Sequence, residues 1–471
     1  VGREKQLIKN TMVLGIGNIL PKLATFITLP LYTAILTKAE YGTYDLITIL
    51  TSLVAPAVTL QIQTAAFRFL IGEKEKKTIK TIITNVLLFV IPISLITLIV
   101  IFLCLHTLDT KIRILISAYL FLEIYLNVIQ QILRGLGRVK EFAISAIINT
   151  IANLVIVLPL LLWMNLGLDG LILSLCTAII IAVLYINRYI QLLTYFDIKL
   201  FEWNCLKKLL KYSCPMVPNA MSMWIVSASD RLVISATLGV EANAVYAVAT
   251  KFPQVLTIVQ STFTMAWQES ASIANEDKDS SQYYNLVFDG LIRALSGIMA
   301  LLIGFMPVLF SLFVNGAYEE AYVQMPILFM AMLFYGLSAY YGGIYVAQMK
   351  TTNAAISTII AALINLIINI LFIHSIGIYA ASISTLVSYV FLTVYRAINT
   401  SKIRPLEYKW KNIVFYLIIL IIMSILFYSN EVEIKIVNLL LGVVFAVVIN
   451  KKLLIGLYIT MKQYIKKSKK G

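Results

Sequence analysis

Charge is scarce in this chain. Only 13% of its 471 residues are Asp, Glu, Lys or Arg, against about 25% in an average soluble domain. That deficit, with 60% apolar residues and a mean hydropathy of +0.89, excludes a soluble globular fold. Histidine is rarer still. His106 and His374 stand near expected helix ends with no second nitrogen or sulfur ligand close in sequence. The four cysteines (Cys104, Cys176, Cys205, Cys214) sit in or beside apolar runs without C-x-x-C spacing, which argues against both a metal site and a disulfide framework. The dipeptide Gly-Lys never occurs, so these residues hold no phosphate-cradling G-x-x-x-x-G-K-[ST] loop and no ATPase motor. H-E-x-x-H, G-x-S-x-G and carboxylate-rich clusters are missing as well. The expectation is a protein without a cofactor and without enzymatic activity.

What the chain has is apolar runs along its whole length. About fourteen are separable, from 10–35 and 43–70 at one end to 412–428 and 436–456 at the other. Each approaches the roughly 20 residues that cross a bilayer as helix. The fold class is therefore an all-α polytopic membrane protein. The first run starts near Asn10 and lacks a small-residue cleavage site, so it is expected to act as its own anchor, not a cleaved leader.

Basic residues set the orientation. With the N-terminus inside, the inner loops and tails hold 29 of the 38 Lys and Arg residues and the outer loops hold four, a strong positive-inside bias. Both termini are then cytoplasmic. The net charge of +15 is explained by this topology and by contact with anionic membrane lipids, and no nucleic-acid partner is expected. The outer loops are short, which argues against a membrane glycan polymerase with a large outer catalytic loop.

An internal repeat organises the spans. "AISAIINTIANLVI" (143–156) aligns with "AISTIIAALINLII" (355–368) at eight of fourteen positions. "AILTKAEYGTYDLI" (34–47) aligns with "ATLGVEANAVYAVA" (236–249), setting Tyr44 against Tyr246. Both pairs relate spans six apart, which gives two parallel six-helix repeats plus two C-terminal helices, a transporter architecture. The expected division is residues 1–200, 201–400 and 401–471. The connector 187–211 reads as a partly helical strap at the membrane surface.

Charges left inside the spans are costly, at roughly 2.5–3.5 kcal/mol each on insertion scales, and so mark candidate sites. Lys22 interrupts "GNILPKLATFITLP"; it lines a cavity or pairs with a carboxylate such as Glu123. Arg68 and Lys251 are further basic candidates on the second and eighth spans, with interfacial snorkelling the alternative for Arg68. Asp45, Glu123 and Asp230 are the acidic candidates for ion coupling. For Asp45 the bland reading is a helix-start carboxylate favoured by the dipole, and for Asp230–Arg231 a pairing across helices. Asp289 and Arg293, four apart, read as a local ion pair. Tyr44, Tyr246, Trp267, Tyr340, Tyr341 and Tyr345 are candidates for stacking on sugar rings.

The segments "KNTMVLGIGNILPKLATFITLPLYTAILTKAEYGTYDLI", "TAAFRFL", "YSCPMVPNAMSMWIVSASDRLVISATLG" and "NAVYAVATKFP" resemble the polysaccharide-transport (Wzx-type) flippases of the multidrug/oligosaccharidyl-lipid/polysaccharide exporter superfamily. The resemblance implies a multi-pass protein of the bacterial cytoplasmic membrane. It would carry undecaprenyl-pyrophosphate-linked oligosaccharide repeat units from inner to outer leaflet by alternating access, for capsule, O-antigen or other surface polysaccharide. A polysaccharide polymerase and other export machinery are the implied protein partners. By matched region, Lys22, Arg68 and Lys251 are the positions that would meet the pyrophosphate; lysine in place of a bidentate arginine departs from the expected phosphate geometry. A cation-coupled multidrug exporter of the same superfamily is the alternative.

Overall fold

A computed structural model describes residues 24–468 except 275–279, 317, 349 and 404. Helices dominate it, and among the described residues nine are long and apolar enough to cross a membrane, or ten if one bent pair counts as a single span; residues 10–23 of the first expected span lie outside the described residues. α1 (Ala24–Ile35) is followed by α2 (Lys38–Val58) and α3 (Ile62–Leu70), and then by α4 (Lys76–Cys104), α5 (Thr110–Gly135), α6 (Val139–Leu162) and α7 (Gly167–Ile190). After α8 (Trp203–Ser213) come α9 (Met216–Thr237), α10 (Val240–Ala274), α11 (Ser280–Phe313) and α12 (Glu319–Ala347). α13 (Thr351–Ile376), α14 (Tyr379–Ile403), α15 (Trp410–Leu426) and α16 (Val432–Ser468) complete the chain. Two compact units divide after Ala247, within α10.

In the first unit, α2 starts at a capping box. Thr37 Oγ1 accepts from the Glu40 N–H, and Glu40 Oε2 accepts from the Thr37 N–H at 2.9 Å, satisfying donors that a helix start leaves open. The core lies where α3, α4, α5 and α7 meet, around Ile62, Ala66, Ile83, Val128, Ile132 and Ile172, all fully buried. The connector is fastened to α4. Its Asp197 N–H donates to Thr84 Oγ1 and its Glu202 N–H to Asn85 Oδ1. α8 is amphipathic: Leu206 and Leu209 are buried while Lys207, Lys208 and Lys211 are exposed. Cys205 on this helix is half-buried; burial, then the Glu202 carboxylate, pushes its thiol up, so a reactive thiolate is disfavoured.

In the second unit, α11 and α16 approach closely through small residues. A side chain at Gly442 would meet the Ala300 carbonyl, and one at Gly304 would meet the backbone of Leu439. Small residues give helices in lipid this proximity, and packing then replaces the missing hydrophobic drive.

The second span is not one helix. α2 and α3 meet at 64°. Pro56 lies in the last turn of α2, where it offers no N–H. Leu60 and Gln61 then take left-handed conformations, with φ of 47° and 57°, at about 1–2 kcal/mol each for residues with a Cβ. The Leu60 N–H turns to the Ala57 carbonyl, and the Ile62 N–H to that of Thr59. The carbonyls of Pro56 and Val58 thereby lose the partners that a continuous helix would give them.

Candidate functional site

A cavity of about 320 Å³ opens beside this break, between α2, α3 and α5. Its wall is largely polar, with no Lys or Arg among the described residues that line it. Thr48, Thr51, Ser52 and Thr59 line it, and each directs its hydroxyl proton to a backbone carbonyl of its own helix, at 2.6–2.9 Å. Hydroxyls so oriented keep lone pairs for other donors, and Ser52 Oγ accepts from Trp224 Nε1 at 3.0 Å. Gln63 is 8% exposed, and its Oε1 accepts no hydrogen bond, while its amide N–H₂ donates to Gln61 Oε1 at 3.4 Å. Glu123 lines the same space from the middle of α5. Its carboxylate has no hydrogen bond and no ion pair among the described residues.

Asp45 has a different setting. It is the eighth residue of α2 and 4% exposed, not a helix-start carboxylate in water. Arg231, on α9, donates to its Oδ2, and both side chains are almost wholly buried. Asn243 Nδ2 approaches the same oxygen at 3.4 Å and donates to the Gly42 carbonyl at 3.0 Å. Asp230 accepts from the Tyr246 hydroxyl at 3.0 Å. Asp230 and Arg231 thus take separate partners, as their angular offset on a helix requires.

Arg68 is exposed in the last turn of α3, outside the cavity wall, with no ion pair among the described residues. Lys251 is half-buried in α10, two residues before Pro253, in the second unit. Lys22 lies outside the described residues. Among the described residues, no three His, Cys, Asp or Glu side chains converge on a metal site.

Several of the aromatic candidates are used in packing. Trp267 donates to the Tyr340 carbonyl at 2.8 Å and stacks on the Tyr340 ring. Tyr340, Tyr341 and Tyr345 are buried, so they offer no open face to a sugar.

The family profile described as polysaccharide biosynthesis protein matches residues 7–271, more than half of the chain. This chain belongs to that family. The matched stretch holds all six candidates, Lys22, Asp45, Arg68, Glu123, Asp230 and Lys251. Among solved structures, the fold is similar to "Lipid II flippase MurJ, inward closed conformation", with a TM-score of 0.72 at 15% identity, over 96% of this chain and 100% of that one. A multidrug resistance MATE family transporter of the MOP superfamily, inward-facing, gives 0.67 at 15% identity over 82% and 98%. A MOP superfamily transporter from Pyrococcus furiosus, with a binding pocket described as of reverse polarity, gives 0.57 at 15% over 84% and 95%. No curated protein matches the sequence. At this identity the structures establish the fold, that of the MOP transporters.

Beyond the stretch matched by the polysaccharide biosynthesis profile, the structure holds a buried charge that sequence reading did not count among the span candidates. Arg396 is 8% exposed within α14. Its Nε donates to Ser357 Oγ at 3.0 Å, Nη1 to the Ser338 carbonyl at 3.0 Å, and Nη2 to Thr358 Oγ1 at 2.9 Å and the Ala354 carbonyl at 3.2 Å. Only neutral oxygens hold it, and they tie α12, α13 and α14 together. Nearby sequence reading needs a second correction: Asp289 pairs with Lys409, while Arg293 Nε donates to the Asp289 backbone carbonyl at 2.9 Å. Lys409 follows the break between α14 and α15, a partner that i,i+4 spacing cannot reveal.

Proposed function

We propose that this protein moves lipid-linked oligosaccharides across the bacterial cytoplasmic membrane, as a flippase of the polysaccharide-transport type. The observation that carries the reading is the conjunction of a polysaccharide biosynthesis family match with a fold similar to a lipid II flippase over 96% of the chain. Many membrane-length helices and a sequence without a nucleotide-binding motif suit a carrier driven by ion gradients or by the membrane potential. The field is worth about 2.3 kcal/mol per elementary charge per 100 mV, and an inside-negative potential favours outward movement of an anionic headgroup. Lys22, Arg68 and Lys251 are the residues assigned to the pyrophosphate. The polyprenyl tail remains in lipid throughout.

Depletion of the protein is expected to leave lipid-linked glycan on the inner leaflet, readable by its inaccessibility to externally added lectin in intact spheroplasts. Lys22→Ala with Lys251→Ala should reproduce that block while the protein still inserts and purifies as a single species. Normal glycan export by the double variant would remove the assigned residues, and normal export after depletion would remove the function.

The second reading, a multidrug exporter, is favoured by one feature, the Glu123 carboxylate in a cavity with no basic residue among the described residues that line it. Efflux of a cationic dye from cells expressing the protein, lost in Glu123→Gln, would support it over glycan transport.

A further inference from the structure

In the second unit a cavity of about 600 Å³ opens between α11 and the joint that leads into α15. Asn285, Asp289 and Arg293 line it from α11, and Glu407 and Lys409 from the joint. We propose that this cavity binds the headgroup of a zwitterionic phospholipid with a primary amine, its phosphate on Arg293 and its ammonium on Glu407.

The lining carries two charges of each sign, and only two of the four are matched. Asp289 and Lys409 pair with each other. Arg293 Nε donates to the Asp289 backbone carbonyl at 2.9 Å, and the two terminal nitrogens have no acceptor among the described residues. The Glu407 carboxylate has no donor among the described residues and forms no ion pair with Arg293. Its backbone is fixed, because the Glu407 N–H donates to Asn285 Oδ1 at 3.1 Å. One cation and one anion thus remain open in a single cavity. A purely anionic ligand would meet Glu407 as well as Arg293, and a purely cationic ligand would meet the reverse penalty. A ligand with both signs a few bonds apart satisfies both, and the guanidinium fork matches phosphate oxygens in particular.

The order of these charges along the span fits a lipid. Arg293 is the last charged residue of α11, and the rest of the helix to Phe313 is uncharged. Its side chain leans back over the preceding turn, as helix geometry directs, and its Nε reaches the carbonyl of residue 289. Glu407 is anchored at Asn285, one turn farther from the apolar stretch, or about 6 Å along the axis. A phospholipid has the same order, with phosphate next to the acyl chains and the amine outside it. α15 begins three residues after Glu407 with the exposed Trp410, followed by exposed Val414, Phe415, Ile418 and Ile421. Tryptophan at such a position marks the headgroup level, and the apolar residues beyond it give acyl chains a surface. A free aminoalkyl phosphate shares the head chemistry but has no use for that surface.

This site does not depend on the transport reading, so it is tested by binding alone. Full-length protein in non-ionic detergent micelles is titrated with phosphatidylethanolamine, with phosphatidylglycerol (the same phosphate without an amine) or with free ethanolamine phosphate. Bound ligand per chain is counted by native mass spectrometry. The expected result is one saturable site for phosphatidylethanolamine, at least about tenfold tighter than for either comparison ligand, the weight of one hydrogen bond to a charged group. Glu407→Gln should erase the preference and bind both lipids alike, whereas Glu407→Asp should keep part of it. Arg293→Gln should weaken both lipids, by about tenfold on the same scale. Each variant is compared only as a monodisperse species by size exclusion. A wild type that does not distinguish the two lipids overturns the site, and so does a Glu407→Gln variant that keeps the preference. Free ethanolamine phosphate binding as tightly as the lipid overturns the lipid as occupant.

Discussion

Asp45 and Glu123 are both acids within membrane-spanning helices of the same compact unit, and the fold treats them oppositely. Asp45 is enclosed by Arg231 and Asn243. Glu123 lines a cavity and has no hydrogen bond or ion pair among the described residues. The first arrangement is complete within the protein, so its chemistry is structural. The second has no such partner among the described residues. Charge within a span is thus a poor guide to function until its partners are known.

The contrast makes quantitative expectations. Asp45→Ala leaves the Arg231 guanidinium buried without its counter-charge and should cost about 3–5 kcal/mol, read as a large fall in unfolding temperature in micelles or loss of folded yield. Replacing both partners together, Asp45→Leu with Arg231→Leu, should recover most of that loss. If the single and double variants are equally unstable, the pair is not what holds this region. Arg396→Leu comes next, at roughly 2–3 kcal/mol, because buried carbonyls on α12 and α13 lose their donor. Arg396→Lys should restore only part, since one ammonium cannot reproduce the spread of the guanidinium fork. Lys409→Ala, at a pair whose lysine is largely exposed, should change stability by less than about 1 kcal/mol. Glu123→Gln is expected to have the smallest effect, within about 0.5 kcal/mol, since it breaks no pairing among the described residues. Should Glu123→Gln destabilise the protein as much as Asp45→Ala, the distinction between the two acids collapses.

The span architecture was legible because bilayer thickness imposes length and apolarity on every crossing segment, and neither requires knowledge of neighbours. Partners were less so. Arg231 and Asp45 are 186 positions apart, and nothing in either local sequence specifies the other. Arg396 was not among the span candidates, since it stands at the end of an apolar run near Lys402 and Arg404; α14 continues through it and buries it. The break in the second span was only half visible. Pro56 announces a kink, yet the left-handed turn falls four and five residues later and contains no glycine. The polar run Thr59, Gln61, Gln63 and Thr64 in the middle of an apolar segment was the signal that could have located the cavity.

The hydrogen bonds from Asp197 and Glu202 to α4 bear on how far this chain can flex. A segment moored at two points along one helix, and followed by α8 with its leucines sunk in the same core, has no slack to pay out. Extra residues inserted there would bulge outward and give α9 no additional travel, so any rearrangement must draw its freedom from the few positions after Ser213.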